Sequence, residues 1–301
     1  CGDFFYLKKA SMTKDHNLIG VFLAVLGYFC YTVADTGLKF AGQDMEFYQI
    51  AFFTQGIGIA LLVAFALATK RSLKTYHLKY QILRSIAYAI CYGIVIVAFQ
   101  YKSLAEVYTL FYINPFMAAI LSWIILKEPI GKHRLMAVIV GFIGVLIILR
   151  PGMIAFDWIS ICTLVASTLF AYGNVLIKKI GDTEPILSFT FYTTGAIFLM
   201  YAIPFALNPA WPDLEQFGFL AISGGFETFA TGILAIAYLK THAVTISKLI
   251  YTSLIWAFLW GWLFFDDVLV DIWTGIGATF IIGSGLYMIY REQKHMKEEQ
   301  A

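Results

Sequence analysis

Ten membrane-crossing α-helices, arranged as a 5+5 inverted-topology repeat, are what this sequence predicts. Three observations carry that reading: a composition poor in charge, ten apolar runs of spanning length, and a match of the chain to itself at one fixed offset. Of 301 residues, 60% are hydrophobic, 17% aromatic and only 13% charged, with mean hydropathy +0.77. A soluble domain carries about 25% charge, so a soluble enzyme, a disordered chain and a disulfide scaffold are excluded. The net charge of +2 says little as a total, because in a polytopic membrane protein the placement of charge matters more. Cys1, Cys30, Cys91 and Cys162 show no metal or redox spacing, and the last three read as small buried hydrophobes. Met12-Thr-Lys-Asp reads as a natural start and residues 1–11 as an added stretch.

A spanning helix needs about 20 mostly apolar residues. The runs that meet this are 18–39, 47–69, 81–101, 105–126, 133–149, 158–177, 186–207, 216–239, 243–264 and 271–290. None alternates with period two, so a β-barrel is not the reading. The joining loops are short and leave no room for a soluble domain. The Lys and Arg residues divide unevenly between the two sides. One side holds both termini and the loops after helices 2, 4, 6 and 8, and takes most of the basic residues, Arg84, Lys178, Lys179 and Lys240 among them. The other side takes Lys39, Lys102 and Arg150. That bias predicts cytoplasmic termini in an inner or plasma membrane. His16, His77, His133, His242 and His295 all fall at the cytoplasmic ends. No histidine-based metal or haem site inside the membrane is expected, and no cofactor.

The self-match runs at an offset of 139 residues. Lys39 pairs with Lys178, Gly42 with Gly181, Thr54 with Thr193, Gly93 with Gly232, Tyr112 with Tyr251 and Trp123 with Trp262. Each half has five helices, so the second half enters the membrane from the opposite side. The expected division is a cytoplasmic segment 1–16, a first five-helix repeat 17–150, a second 151–291 and a cytoplasmic tail 292–301. Inverted repeats of this kind characterise secondary transporters that bind substrate near the membrane midplane and work by alternating access.

The residues Tyr112-Ile-Asn-Pro-Phe, Leu126-Lys-Glu-Pro-Ile and Gly141-Phe-Ile-Gly, ending in Arg150-Pro-Gly, resemble the EamA family of the drug/metabolite transporter superfamily. The resemblance covers about residues 16–291. The Arg-Pro-Gly ending and Glu46 with Phe52-Phe53 resemble a branch that contains S-adenosylmethionine importers. Where that branch often carries an Arg after the two aromatics, this chain has Thr54. The resemblance implies a 5+5 fold, coupled or facilitated exchange of small metabolites, and a central cavity ringed by helices 1, 3, 4, 6, 8 and 9.

Charges inside the membrane cost about 2.5–3.5 kcal/mol each at a helix centre and are candidate functional groups. Glu227 lies mid-helix 8 and pairs in the repeat with Tyr88; it is the main candidate to carry a coupling proton or meet a cationic group. Lys248 lies one turn into helix 9. It reads equally as a partner of Glu227 or an anionic substrate and as a snorkelling interfacial lysine. Asp35, paired in the repeat with Asn174, reads as a cavity residue or as an i, i+4 partner of Lys39, and the spacing favours the ion pair. Glu106 reads as a helix-start residue, and Glu128, Asp266 and Asp267 as interfacial. Tyr88 with Tyr92 and Tyr108 with Tyr112 share helix faces at i, i+4, with Asn114 and Pro115 just beyond; Tyr251, Ser253, Trp256 and Trp260 occupy the matching stretch of helix 9. Pro115 frees a backbone carbonyl that needs a cavity or a neighbouring donor. Gly141, Gly144, Gly275 and Gly277 read as close-packing positions, and Gly224-Gly225 as a point that loosens helix 8.

The predicted function is a secondary transporter or exchanger of a small organic metabolite: nucleoside-like such as S-adenosylmethionine, a vitamin, or an amino-acid derivative. Its partners are that substrate, a coupling proton or an exchanged metabolite, and the lipid bilayer, with no nucleic acid. A ten-helix inverted repeat needs no second copy, so a monomer or a weak dimer is expected. The alternative is a membrane-embedded enzyme on a lipid-like or acyl substrate, for which no nucleophile, metal cluster or paired acid appears. A channel is disfavoured, and there is no ATP-binding motif.

Overall fold

A computed structural model describes residues 14–127, 132–149, 157–181, 183–241, 246, 249–265, 272–273, 275–280, 282–284 and 287. Every regular element among them is helical: α1 (Lys14–Ala41), α2 (Phe47–Thr69), α3 (Leu78–Tyr101), α4 (Leu104–Phe111), α5 (Asn114–Leu126), α6 (Lys132–Leu149), α7 (Trp158–Ile180), α8 (Ile186–Leu207), α9 (Leu214–Lys240), a 3-10 turn at Leu249–Thr252 and α10 (Ser253–Phe265). Seven stretches are long and apolar enough to cross a membrane, counting α4 and α5 as one, Leu104–Leu126. Of the ninth expected span, the regular elements described are the 3-10 turn and the 13-residue α10, which is too short to cross by itself. The tenth is described only in pieces, with an apolar helix at Gly275–Ser284. Glu128, Asp266, Asp267 and Lys248 lie outside the described residues.

The helix starts follow from their caps. Ser103 and Glu106 form a reciprocal capping box at the start of α4, which is the helix-start role read for Glu106. Asp213 and Gln216 form another at α9. Asp157 caps α7, accepting from Ile159 N at 3.0 Å and Ser160 N at 3.3 Å.

The expected fourth helix is broken at Tyr112–Ile113. Pro115 has no N–H to give the carbonyl of Phe111 four residues earlier. That carbonyl is taken up instead by the Ser167 hydroxyl of α7 at 2.9 Å, and Asn114 Nδ2 donates to the Ser167 carbonyl at 3.2 Å. The 139-residue offset maps residues 110–113 onto the 3-10 turn 249–252, which precedes α10 as the break precedes α5, although Leu254 stands where Pro115 would map.

Packing is pairwise. α1 lies along α9 and α3 along α7; α2 meets α8 and α9, while α3 meets α8; α5 packs on α7, and α4 on α10. Advancing each helix by one repeat turns the α1–α9 contact into the α7–α3 contact, and the α2–α9 contact into the α8–α3 contact.

At one end of the bundle Lys102, capping α3, pairs with Asp157 at 2.5 Å. Partial burial pushes the Asp157 carboxyl up, but Lys102 and Ser160 outweigh this and hold it at about 2. The group therefore contributes stability above its unfolded value of about 4, and that contribution is lost as pH falls towards 2. Asp157→Asn keeps a good cap and loses the ion pair, so it costs under about 1 kcal/mol at neutral pH. Asp157→Ala loses the cap as well, about 1 kcal/mol more. Thermal unfolding in detergent checks this, and the difference between Asn and wild type shrinks as pH falls below 4.

At the opposite ends of α3 and α8, Glu184 accepts from Tyr76 N at 3.0 Å, Gln81 Nε2 at 3.3 Å and Ser188 Oγ at 3.0 Å. Burial raises its carboxyl, but these bonds and one from Thr75 more than offset it and hold it below the usual value.

The glycines divide by what they touch. A Cβ on Gly141 would sit 2.0 Å from the Phe116 ring, and Gly275 has open space around it. Close packing therefore explains Gly141, and nothing described explains Gly275. Gly224 does not loosen its helix: α9 runs unbroken through it. Cys30 and Cys91 are buried, but Cys162 is exposed; an apolar side chain facing lipid costs nothing. Of the histidines, His77 sits at the start of α3, and the other side chains lie outside the described residues.

Candidate functional site

A cavity in the bundle is lined by both polar and aromatic side chains. Its wall includes Tyr28, Tyr31 and Asp35 of α1; Tyr88, Cys91 and Tyr92 of α3; Tyr108 and Phe111 of α4; Phe170 of α7; Glu227 and Thr231 of α9; and Ser253 at the start of α10. These helices are the six expected. Thr193 and Ile197 add α8 as a seventh wall.

Two half-buried carboxylates face this space. Glu227 Oε2 accepts from the Tyr92 hydroxyl at 2.7 Å and from Gln55 Nε2 at 2.8 Å. Tyr92 also meets Thr54 Oγ1 at 3.0 Å, so α2, α3 and α9 share one hydrogen-bonded network. Asp35 accepts from the Tyr108 hydroxyl. The anticipated pairing of Asp35 with Lys39 is not made: the Lys39 ammonium lies 4.5 Å from the Phe265 ring centre. The i, i+4 spacing allowed that pair, but the phenol of α4 offers the half-buried carboxylate a partner without bringing a second charge inside.

The other candidates separate. Tyr88, Tyr92 and Ser253 line the cavity. Asn174 stands behind the wall and accepts from Tyr88 at 2.5 Å. Tyr112 and Asn114 are fully buried in the α4–α5 break and outside the lining. The break turns Tyr112 off the face it would share with Tyr108 on a continuous helix. Trp256 packs edge-on against Phe29 with ring centres 4.9 Å apart, outside the lining. The side chain of Tyr251 and all of Lys248 lie outside the described residues.

Four groups near this site escaped the sequence reading: Gln55, Tyr31, Thr231 and Arg84. Tyr31 and Thr231 bond across α1 and α9 at 2.9 Å. Gln55 was legible only as a polar residue in an apolar run. Arg84 was assigned to the cytoplasmic end, but α3 begins at Leu78 and carries it about 9 Å into the helix, where it is 0% exposed. Its side chain reaches sideways to α8 rather than outward to the membrane surface.

No Lys, Arg or His is among the described lining residues. The wall is aromatic and acidic, which suits a cation through ring faces and carboxylates together. The cavity holds about 90 Å³, against roughly 300–1,000 Å³ for small-molecule pockets. It has to widen to admit a metabolite.

Residues 18–150 match the EamA-like transporter family. The chain is similar to an S-adenosylmethionine uptake transporter of Rickettsia prowazekii (strain Madrid E), 26% identical over 94% of this chain and 96% of the relative. It is likewise similar to a riboflavin transporter of Brucella anthropi, 26% identical over 87% of this chain and 95% of that protein. A solved crystal structure with 14% identity superposes at a TM-score of 0.63 over 93% of this chain and 98% of the other, which is a likeness of fold.

Proposed function

We propose that this chain, whose residues 18–150 match the EamA-like transporter family, is an integral membrane transporter of a small metabolite, and that its substrate carries a positive charge and crosses by alternating access. One observation carries the substrate reading: Asp35 and Glu227 face one aromatic cavity with no cation among its described lining residues. The cationic sulfonium of S-adenosylmethionine, the substrate named for the Rickettsia relative, fits such a wall. Riboflavin, named for the Brucella relative, has the planar rings but no positive charge.

We read the architecture as a 5+5 inverted repeat, 17–150 and 151–291, with both termini cytoplasmic. Three features support it: the 139-residue offset, the exchange of helix pairings between halves, and the 3-10 turn that the offset places opposite the α4–α5 break. Two inverted halves can exchange shapes, so one cavity opens to either side in turn. Glu227 is the proposed coupling residue, since it faces the cavity and is held by neutral donors that serve either protonation state. A membrane enzyme is set aside, because the relatives are named as transporters.

The test is uptake of radiolabelled S-adenosylmethionine into proteoliposomes of the full chain, with choline and riboflavin as competitors. Competition by the cation and not by riboflavin is expected. Saturable uptake blocked only by riboflavin overturns the cationic reading.

A further inference from the structure

The 139-residue offset relates four positions at the cavity wall or directly behind it, and the two halves fill them differently. The offset pairs Asp35 with Asn174 and Glu227 with Tyr88. The α1–α9 side therefore holds two carboxylates, and the α3–α7 side holds the neutral Tyr88–Asn174 pair. One turn before Tyr88 is Arg84, with no exposed surface.

Arg84 Nη1 donates to the Phe189 carbonyl at 2.8 Å and to Thr193 Oγ1 at 2.6 Å. Its guanidinium carbon is 4.8 Å from the Tyr88 ring centre and 5.4 Å from that of Phe189. Nε and Nη2 have no acceptor, and the guanidinium no ion-pair partner, among the described residues. Glu184, before α8, is taken up by Tyr76, Gln81 and Ser188. Holding a cation inside a span without a counter-ion is costly, and such residues mark substrate pathways by default. The two open nitrogens are the pair whose N–H bonds run parallel along one edge of the guanidinium, the fork that a carboxylate bridges with two bonds. Tyr88 and Thr193, both in contact with Arg84, belong to the cavity wall. Widening the cavity at those two side chains brings the fork to the substrate.

We infer that Arg84 is the receptor for a carboxylate of the transported molecule, which makes the substrate a zwitterion lying between the Asp35–Glu227 pole and Arg84. This rests on the proposed cation-binding transporter and adds the second charge. The tyrosine faces hold the positive centre, and the Arg84 fork sets which end points towards α8.

The test compares compounds that differ only in the carboxylate: S-adenosylmethionine with its decarboxylated form, and tyrosine with tyramine. Apparent Kd is read by thermal shift and by competition in proteoliposomes. In the wild type the carboxylated member of at least one pair binds about tenfold or more tightly than its partner. Arg84→Gln and Arg84→Met bring that ratio to within about threefold while the amine-only compound binds as before; Arg84→Lys, a charge without the fork, falls between. Equal binding of both members by wild type overturns the inference and leaves the cation reading standing, and this arm needs no variant to fold. An unchanged ratio in folded variants overturns Arg84 as the receptor. Binding of no member of either pair overturns both readings.

Discussion

Glu227→Gln is expected to abolish substrate accumulation driven by a pH gradient and to leave counterflow of substrate against substrate running. Glutamine matches glutamate in size and keeps an acceptor oxygen for Tyr92 and Gln55, which donate to Glu227 at 2.7 and 2.8 Å. The local packing therefore survives and only the exchangeable proton is lost. A gradient of one pH unit sustains up to about tenfold accumulation per coupled proton, and in the variant the ratio falls to about one. The measurement is uptake into proteoliposomes with and without an imposed gradient, beside counterflow at equal pH. If both activities fall together, Glu227 binds substrate rather than a coupling proton. If neither changes, the carboxylate is structural. Tyr92→Phe removes one donor and has the smaller effect, a weaker accumulation with counterflow intact.

Gly224→Ala is expected to destabilise the protein, and Gly225→Ala next to it is not. A Cβ on Gly224 would lie 2.4 Å from the Thr54 carbonyl oxygen, a backbone atom that cannot swing aside. On Gly225 the nearest described atom is a Leu61 methyl at 3.8 Å, ordinary contact. Overpacking of the first kind costs about 1–3 kcal/mol. The second substitution improves helix propensity by up to about 1 kcal/mol. The effect also reaches the site: Thr54 and Gln55 sit on α2 where it crosses α9, so separating these helices lengthens the Gln55–Glu227 bond. Thermal unfolding in detergent is expected to show a clear drop in Tm for Gly224→Ala only, with uptake falling alongside. Equal Tm values for the two variants would mean that the α2–α9 crossing yields to a methyl group at Gly224 without cost.

Much of this was legible in the sequence because it depends on composition and spacing. Apolar runs of about 20 residues set the helices, and α2 and α8 match their predicted bounds of 47–69 and 186–207. Glu227 and Asp35 were legible because a carboxylate in an apolar run is conspicuous whatever surrounds it. Pro115 announced an unpaired carbonyl four residues earlier, since proline has no N–H in any fold.

Partners were not legible, because they come from other helices. That the Phe111 carbonyl meets Ser167, or that Asp35 meets Tyr108 rather than Lys39, depends on which helices lie side by side. The 3-10 turn at 249–252 has no proline to signal it. Arg84 shows the limit most plainly. A basic residue near the end of an apolar run has two outcomes, snorkelling to the surface or lying across to a neighbour, and the sequence is the same for both. Only the packing of α3 on α8, with the Phe189 carbonyl and Thr193 within reach, turned the guanidinium inward.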